Sequence, residues 1–199
     1  MSNTSTKARA MKVTREKAEE NRQQVIETSS RLFREKGFDG VGVSTLMQAA
    51  GLTHGGFYKQ FESKDDLIAK ATQAALNQSR EQLSSLVGKD KGASFETAVR
   101  HYLSDGHRNA IANGCALASL GPDAARHGPQ VRRVMQRGVE DHIGMLESIV
   151  EPQGDTSRRD AAIATLATMV GALMLARTVE DSSLSSEILE AATKAILSE

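Results

Sequence analysis

The segment from residue 53 to residue 64 concentrates side chains that can contact an anionic polymer. Tyr58 carries a hydroxyl that can donate a hydrogen bond to a phosphate oxygen, and Lys59 and Lys64 supply positive charge. His54 and Gln60 carry groups that can read the edges of bases. These residues have the chemistry of nucleic-acid contact. The alternative is a purely structural role, with Tyr58 at the rim of a core and Lys64 as a solvated charge.

The same segment is a poor α-helix former. Gly55 and Gly56 lie in its middle, and each costs about 1 kcal/mol relative to alanine inside a helix. Something other than helix stability therefore favours them. Close approach of the backbone to a phosphate is one explanation, because glycine has no Cβ to obstruct it.

Helical periodicity surrounds this segment and indicates what positions it. One helix ends near Gly37, a short second helix ends at Gly51, and Thr53 is a suitable N-cap for a third that reaches Phe61. Ser63 caps a fourth helix, which runs to about residue 87. Two short helices separated by a tight turn, with a third helix before them, have the spacing of a helix-turn-helix unit.

The composition predicts an all-α protein of about nine helices. The 199 residues include only three prolines and seven aromatic residues, five Phe and two Tyr. No β-branched runs occur, and a sheet would favour them. The formal net charge is zero, so there is no chain-wide basic field. Residues 7 to 17 are nevertheless basic, polar and without an apolar period, so we expect residues 1–13 to form a disordered basic arm.

The same features predict a cytoplasmic protein. The single cysteine, Cys115, cannot form an intrachain disulfide, which fits a reducing compartment. Residues 1–24 are almost wholly polar and show no signal peptide. The longest apolar run, around residues 166–176, is predicted to be too short to span a bilayer, so we expect no membrane partner.

From Gly37 to Lys64 the chain resembles the tetracycline-repressor (TetR/AcrR) family of bacterial transcription regulators. The resemblance extends over roughly residues 14–70, and beyond it only the length and helix layout match. The chain departs from the family at Gly42, where Thr or Ser usually caps the second helix, and at Ser44, where Arg is common. The matching positions are Phe38, Val43, Ala49, Ala50, Gly51, Leu52, Thr53, Gly55, Phe57, Tyr58, Phe61, Ser63, Lys64 and Leu67.

The resemblance implies a DNA-binding regulator, generally a repressor that a small-molecule ligand releases from its operator. It implies a helix-turn-helix domain at 14–65 and a ligand-binding and dimerisation domain at 66–199. The partners would be a near-palindromic double-stranded operator, a second copy of the chain and an unidentified inducer, with no cofactor. The implied DNA contacts, with those argued above, are Ser44, Thr45, Thr53, His54, Gly55, Gly56, Tyr58, Lys59, Gln60 and Lys64.

Several residues of the C-terminal part allow more than one interpretation. Cys115, at the start of a helix, is either a small core residue or a thiol that senses oxidants or electrophiles. His142 lies on an apolar face and is either a satisfied core histidine or a ligand contact. The ligand pocket is predicted to include Tyr102, Cys115, Met135, His142, Met145, Met169, Leu173 and Arg177.

Metal and enzyme sites are weaker interpretations. His101, Asp105 and His107 could begin a metal site, but no second ligand pair follows, so a solvated polar face is favoured. His54–Gly55–Gly56 resembles an oxyanion-hole tripeptide of lipases, yet the chain has no Gly-x-Ser-x-Gly elbow. We therefore expect no bound metal and no enzymatic activity.

The eighth helix is apolar on two faces and the last helix is amphipathic, and the resemblance implies that the two form a four-helix dimer bundle. The alternative is that they pack only within one chain. A helical dimerisation or adaptor protein without DNA binding is the corresponding alternative function. The predicted dimer residues are Ile163, Ala167, Val170, Met174, Leu184, Ile188, Ala192 and Ile196.

Overall fold

The fold is all-α, as the composition predicts. A computed structural model describes residues 3–88, 90–152 and 154–197, and side chains from residue 15 onward. These residues form ten helical elements and no strand. The elements are α1 (Asn3–Lys36), α2 (Val43–Ala49), the 3-10 helix η1 (His54–Lys59), α3 (Lys64–Ser84), α4 (Lys91–Tyr102), α5 (Asp105–Asn109), α6 (Ala116–Arg126), α7 (Pro129–Ile149), α8 (Arg158–Thr178) and α9 (Ser182–Leu197).

Helices α1 and α5 differ from the sequence prediction. Helix α5 is additional, and Ser104 caps it by accepting a hydrogen bond from the backbone N–H of His107. Helix α1 begins at Asn3, so the backbone of residues 3–13 is helical where a disordered arm is predicted. No Gly or Pro interrupts residues 3–36, so nothing in the sequence ends the helix there. Residues 1 and 2 lie outside the described residues, and the state of the arm in solution stays a prediction.

The N-terminal domain packs α1, α2, η1 and the start of α3 around aromatic side chains. Phe33, Phe38 and Phe57 are fully buried there, and Leu46 lies among them. Gly51 has φ of +71°, the left-handed conformation that the tight turn requires and that glycine adopts without steric cost. The turn sets α2 against η1, which is the arrangement predicted from the spacing.

The C-terminal domain is built on α3, which continues from the N-terminal domain and packs along α7. Gly138 of α7 lies directly against α3. A Cβ placed there would lie 2.5 Å from Cδ2 and 2.6 Å from Cδ1 of Leu76 on α3. Gly144, two turns further along α7, faces open space.

We expect Gly138→Ala to lower the free energy of unfolding by about 1–2 kcal/mol, because overpacking against Leu76 outweighs the gain in helix propensity. Gly144→Ala is the matched control and should raise it by up to about 1 kcal/mol. Urea unfolding at one fixed protomer concentration measures both. Equal shifts in the same direction would show that the α3–α7 crossing does not need a glycine.

Helix α8 is long and apolar enough to cross a membrane by length and composition alone. The sequence analysis judged the apolar run too short to span a bilayer because it counted only the uncharged centre of α8, around residues 166–176. A core helix of a soluble protein passes the same test, and α8 buries one face, including Leu166, Met169 and Leu173, while packing on α6, α7 and α9. Its apolar character therefore has an explanation within the fold.

Candidate nucleic-acid interface and effector domain

The 3-10 helix η1 buries one aromatic side chain and exposes the next. Phe57 is fully buried, whereas Tyr58 is 71% exposed. The rings of Phe57 and Tyr58 meet edge to face with centroids 5.1 Å apart, and Phe57 packs in turn on Phe61. The core therefore anchors η1 while the Tyr58 hydroxyl is free to reach outward.

Helix η1 is 3-10 rather than α-helical, and it ends at Lys59 rather than at Phe61. The backbone N–H groups of Gly56 and Gln60 donate to the carbonyls three residues earlier, at 3.0 and 2.9 Å. The two glycines disfavour a regular α-helix, and short 3-10 turns are common in such segments. A Cβ on Gly56 would touch Met47 at 3.6 Å, whereas Gly55 faces open space. Gly55 is therefore the glycine at which the backbone has room to approach a ligand closely.

The structure brings the ten predicted DNA contacts to one end of the N-terminal domain, on α2, η1 and the start of α3. Thr53 is at the N-cap of η1, but its side chain makes no capping hydrogen bond. Gln60 differs from the others because its Oε1 is buried without a partner among the described residues, so it is a poorer candidate for reading bases. Exposed positions are Ser44, Thr45, Thr53, His54, Gly55, Tyr58 and Lys59, and half-buried positions are Gly56, Gln60 and Lys64.

Lys64 is the first residue of α3, and its neighbours fix the helix end. Ser63 Oγ accepts a hydrogen bond from the backbone N–H of Asp66 at 3.1 Å. The Asp66 carboxylate accepts from the backbone N–H of Glu62 and forms an ion pair with Lys70. Helix α3 therefore begins at a defined place, and this holds Lys64 beside η1.

Helix α6 joins the N-terminal domain to the rest of the chain through three polar contacts. Arg34 of α1 donates to the Gly114 carbonyl at 3.0 Å, immediately before α6. The backbone N–H of Phe38 donates to Asp123 Oδ2 at 3.0 Å. His127, just after α6, lies 4.0 Å from Asp65 of α3. A shift of α6 would therefore move the DNA-facing domain.

Arg34 is a functional candidate that the sequence analysis missed. Its side chain is buried, and its partners besides Gly114 are Gln78 Oε1 at 2.7 Å and Ser30. No carboxylate pairs with it among the described residues. Burial lowers the pKa of Arg34 to about 10. The available signal was an arginine in helical register with the buried residues Ile26 and Ser30 of α1, but its partners Gln78 and Gly114 are distant in sequence.

The structure does not bring the eight predicted pocket residues together. Tyr102, Cys115 and His142 line one small cavity of about 20 Å³, which is room for about one water molecule. Met169 and Leu173 are core residues without surface exposure. Met145 is half-buried, and Met135 lines separate cavities on the outer side of α6 and α7.

Arg177 and His107 organise the start of α6. Arg177 donates to the carbonyls of His107 and Arg108 at 2.8 and 3.0 Å and to Ser119 Oγ at 3.1 Å. His107 Nδ1 donates to the Tyr102 carbonyl at 2.6 Å, and its Nε2 accepts from the backbone N–H of Cys115 at 2.9 Å. One ring nitrogen of His107 donates a hydrogen bond and the other accepts one, and only the neutral imidazole can do both.

The remaining titratable groups here have structural partners. His142 Nδ1 donates to the Gly138 carbonyl at 2.7 Å, and burial lowers its pKa, as for a satisfied core histidine. His101 and Asp105 are exposed, while His107 turns inward. No group of three potential metal ligands occurs among the described residues. Cys115 is buried at the N-cap of α6, and a sensing role for it stays a prediction.

We expect acid to destabilise the fold through His107. Burial lowers its pKa from 6.5 to about 4, so below pH 6.5 the unfolded chain binds a proton that the folded chain does not. The stability that the folded protein keeps because His107 is neutral is complete above pH 6.5 and is lost as the pH falls towards 4. From pH 7 to pH 5 the loss should be about 2 kcal/mol.

Urea unfolding of His107→Gln against pH measures this loss. The variant should be less stable at pH 7 and should lose less stability between pH 7 and pH 5. His101→Gln, at an exposed site, is the control and should keep the pH dependence of the original protein. An unchanged pH dependence in His107→Gln would assign the acid sensitivity to other groups.

The predicted dimer residues divide between the two faces of the last helices. Ala192 is buried within the chain, and Val170, Ile188 and Ile196 are half-buried. Exposed apolar side chains remain at Ile163, Met174 and Leu184, with Leu175 the most exposed at 52%. Leu175 was missed because it lies one position beyond the face that the periodicity selects.

Comparison with known proteins agrees with this architecture. Residues 25–71 match the family model for bacterial regulatory proteins of the tetR family. This chain belongs to the TetR family. It is accordingly a DNA-binding transcriptional regulator.

Relatives of this TetR-family chain extend the match beyond the N-terminal domain. The transcriptional repressor NemR of Escherichia coli is 22% identical over 135 residues, which are 66% of this chain and 68% of NemR. The repressor DhaR of a Mycobacterium species is 25% identical over 143 residues, which are 71% of this chain and 72% of DhaR. A TetR regulator from Chloroflexus aurantiacus is 26% identical, with a TM-score of 0.77 over 92% of this chain and 95% of its own.

Proposed function

We propose that this TetR-family regulator is a cytoplasmic, homodimeric repressor that leaves its operator when a small molecule binds the C-terminal domain. The observation that carries the DNA-binding part is the exposed outer face of η1. Tyr58 projects from a helix that Phe57 and Phe61 anchor, with Lys59 and Lys64 on either side in sequence. Phosphate contacts of this kind position a protein on DNA, and His54 and Thr53 would then meet base edges.

Dimerisation is supported by the exposed apolar side chains of α8 and α9. Met174 and Leu175 of α8 and Leu184 of α9 are exposed apolar side chains, and a second copy would cover them. A two-fold dimer presents two copies of η1, and a spacing of one DNA turn would set them in successive major grooves. The operator should then be near-palindromic.

Ligand response is supported by the attachment of α6 to the DNA-facing domain. Arg34 and Phe38 bind α6 at its two ends, through Gly114 and Asp123. A ligand that binds one position of α6 more tightly than another would shift the equilibrium between two orientations of the DNA-facing domains. The relatives named above are transcriptional regulators, a class that generally has no enzymatic activity.

Fluorescence anisotropy against the DNA upstream of the protein's own gene tests the proposal. We expect tight binding that prefers this DNA to a scrambled duplex and that weakens steeply as salt rises, because phosphate neutralisation releases counterions. The comparison is made at two salt concentrations. Folded, dimeric protein that binds neither duplex at low salt would favour the adaptor alternative and contradict a DNA-binding role.

A further inference from the structure

Helix α1 begins well before the part of it that packs in the N-terminal domain. Its side chains are exposed over residues 15–20, half-buried at Asn21 and Arg22, and first fully buried at Val25. The backbone is helical from Asn3, so residues 3–20 form an N-terminal extension of about 27 Å. The match to the tetR family model begins only at residue 25, so the family does not account for this extension.

The N-terminal extension leaves the domain beside the residues that face DNA. Arg22, just after the extension, holds its guanidinium carbon 5.5 Å from the centre of the Phe61 ring. Such a cation–π contact is attractive and ties α1 to the end of η1. Phe61 lies three residues after Tyr58 and three before Lys64. The base of the extension is therefore next to both of the proposed phosphate contacts.

Positive charge is concentrated in the first part of the N-terminal extension. Residues 3–15 contain Lys7, Arg9, Lys12 and Arg15 and no Asp or Glu. Ion pairs on a helix join residues three or four positions apart. Neither Lys7 nor Arg9 has an acidic residue within four positions on either side, so α1 offers no carboxylate to neutralise them.

The cations nearer the core have acidic partners on the same helix. Lys17 pairs with Glu20 at 3.1 Å, and Arg22 pairs with Glu19 at 3.6 Å. The excess positive charge of α1 therefore lies at the end furthest from the core, where the extension is free of the hydrophobic packing that fixes the rest of the helix.

We propose that residues 7–15 bind the phosphate backbone of DNA beside the groove that η1 enters. The 15 residues from Lys7 to Arg22 span about 22 Å of helix, which corresponds to about six base pairs at 3.4 Å each. The extension lengthens the contact with DNA without adding base recognition, because phosphates carry no sequence information. This inference rests on the DNA-binding role and adds a second surface to it.

An anionic membrane is a less suitable partner for the N-terminal extension. A helix that lies in a membrane surface needs an apolar face. The only large apolar residues between positions 3 and 15 are Met11 and Val13. Two residues that are two positions apart lie about 200° apart around a helix, so these two do not share a face.

Anisotropy titrations of the full-length protein over a salt series test the inference, with the DNA upstream of its own gene and an unrelated duplex as probes. The triple substitution Lys7→Gln, Arg9→Gln and Lys12→Gln keeps residues of similar helix propensity. We expect it to weaken binding to both duplexes at least tenfold at low salt. The slope of log affinity against log salt should fall by about 3 per protomer, because each lost phosphate contact removes about 0.9.

A matched variant separates phosphate contact from net charge. The triple substitution Lys91→Gln, Arg133→Gln and Arg137→Gln removes the same charge at exposed positions of the C-terminal domain and should leave the slope unchanged. Hydroxyl-radical footprinting on the upstream DNA then locates the contact. The Lys7 triple variant should lose protection at backbone positions that the original protein and the matched variant both protect.

Three results would overturn the inference while leaving the DNA-binding role intact. The first is an unchanged slope and footprint in the Lys7 triple variant, and the second is an equal fall in slope in the matched variant. The third is an unchanged slope together with binding to vesicles of equal parts phosphatidylserine and phosphatidylcholine, which would assign the extension to a membrane. Failure of the original protein to bind either duplex would contradict the DNA-binding role itself, and this inference with it.

Discussion

Replacing Tyr58 by alanine is expected to weaken binding to the operator and to unrelated DNA by the same factor, about tenfold. The Tyr58 side chain is 71% exposed and is positioned by ring contacts with Phe57 and His54. A hydrogen bond from its hydroxyl to a phosphate carries no information about base identity, so the loss should not depend on sequence. A hydrogen bond to a charged group contributes about 1.5–3 kcal/mol, which is consistent with a tenfold effect at an exposed site.

Lys64→Ala should weaken both DNAs similarly but should differ in its salt dependence. Removing one cationic phosphate contact lowers the slope of log affinity against log salt by about one. Tyr58→Ala should leave that slope unchanged, because the side chain is neutral. Anisotropy titrations over a salt series measure both quantities.

Two control variants sharpen this pair of predictions. Tyr58→Phe removes the hydroxyl while keeping the ring and should reproduce most of the loss in affinity. Lys91→Ala, at the exposed start of α4 in the other domain, removes an equal charge and should have no effect. Undiminished affinity in both Tyr58→Ala and Lys64→Ala would mean that η1 does not face DNA.

The sequence predicts the DNA-facing domain well because its determinants are local. Gly51 forms the turn, Ser63 caps α3, and Phe57 and Phe61 repeat at the spacing that buries both. Each of these features can be seen within a few neighbouring residues. The 3-10 form of η1 was missed because paired glycines indicate a weak α-helix without indicating which alternative replaces it.

The C-terminal site was harder to predict because its contacts join residues far apart in the sequence. Arg34 meets Gly114 across 80 residues, and Arg177 meets His107 across 70. Hydrophobic periodicity selected Met169 and Leu173 as pocket residues, yet the same pattern describes core residues.

Leu175→Glu is expected to convert the protein to monomers at micromolar concentration and to lower operator affinity at least a hundredfold. Leu175 is 52% exposed, and Met174 and Leu184 add apolar surface on the same two helices. In a two-fold interface each substitution occurs twice. Two unpaired carboxylates would then be buried, and leaving an uncompensated charge buried costs about 3–5 kcal/mol in other proteins.

The loss of DNA affinity follows from the loss of the second DNA-facing domain. A monomer presents one η1 and therefore reads one half-site, so binding to the palindromic operator should fall towards binding to unrelated DNA. Light scattering after gel filtration gives the oligomeric state, and anisotropy gives the affinity of the same sample. Ile111→Glu introduces the same charge at an exposed apolar residue outside α8 and α9 and should leave both unchanged. A Leu175→Glu protein that stays dimeric with full operator affinity would place the dimer interface elsewhere, because no interface centred on α8 and α9 could accommodate that charge.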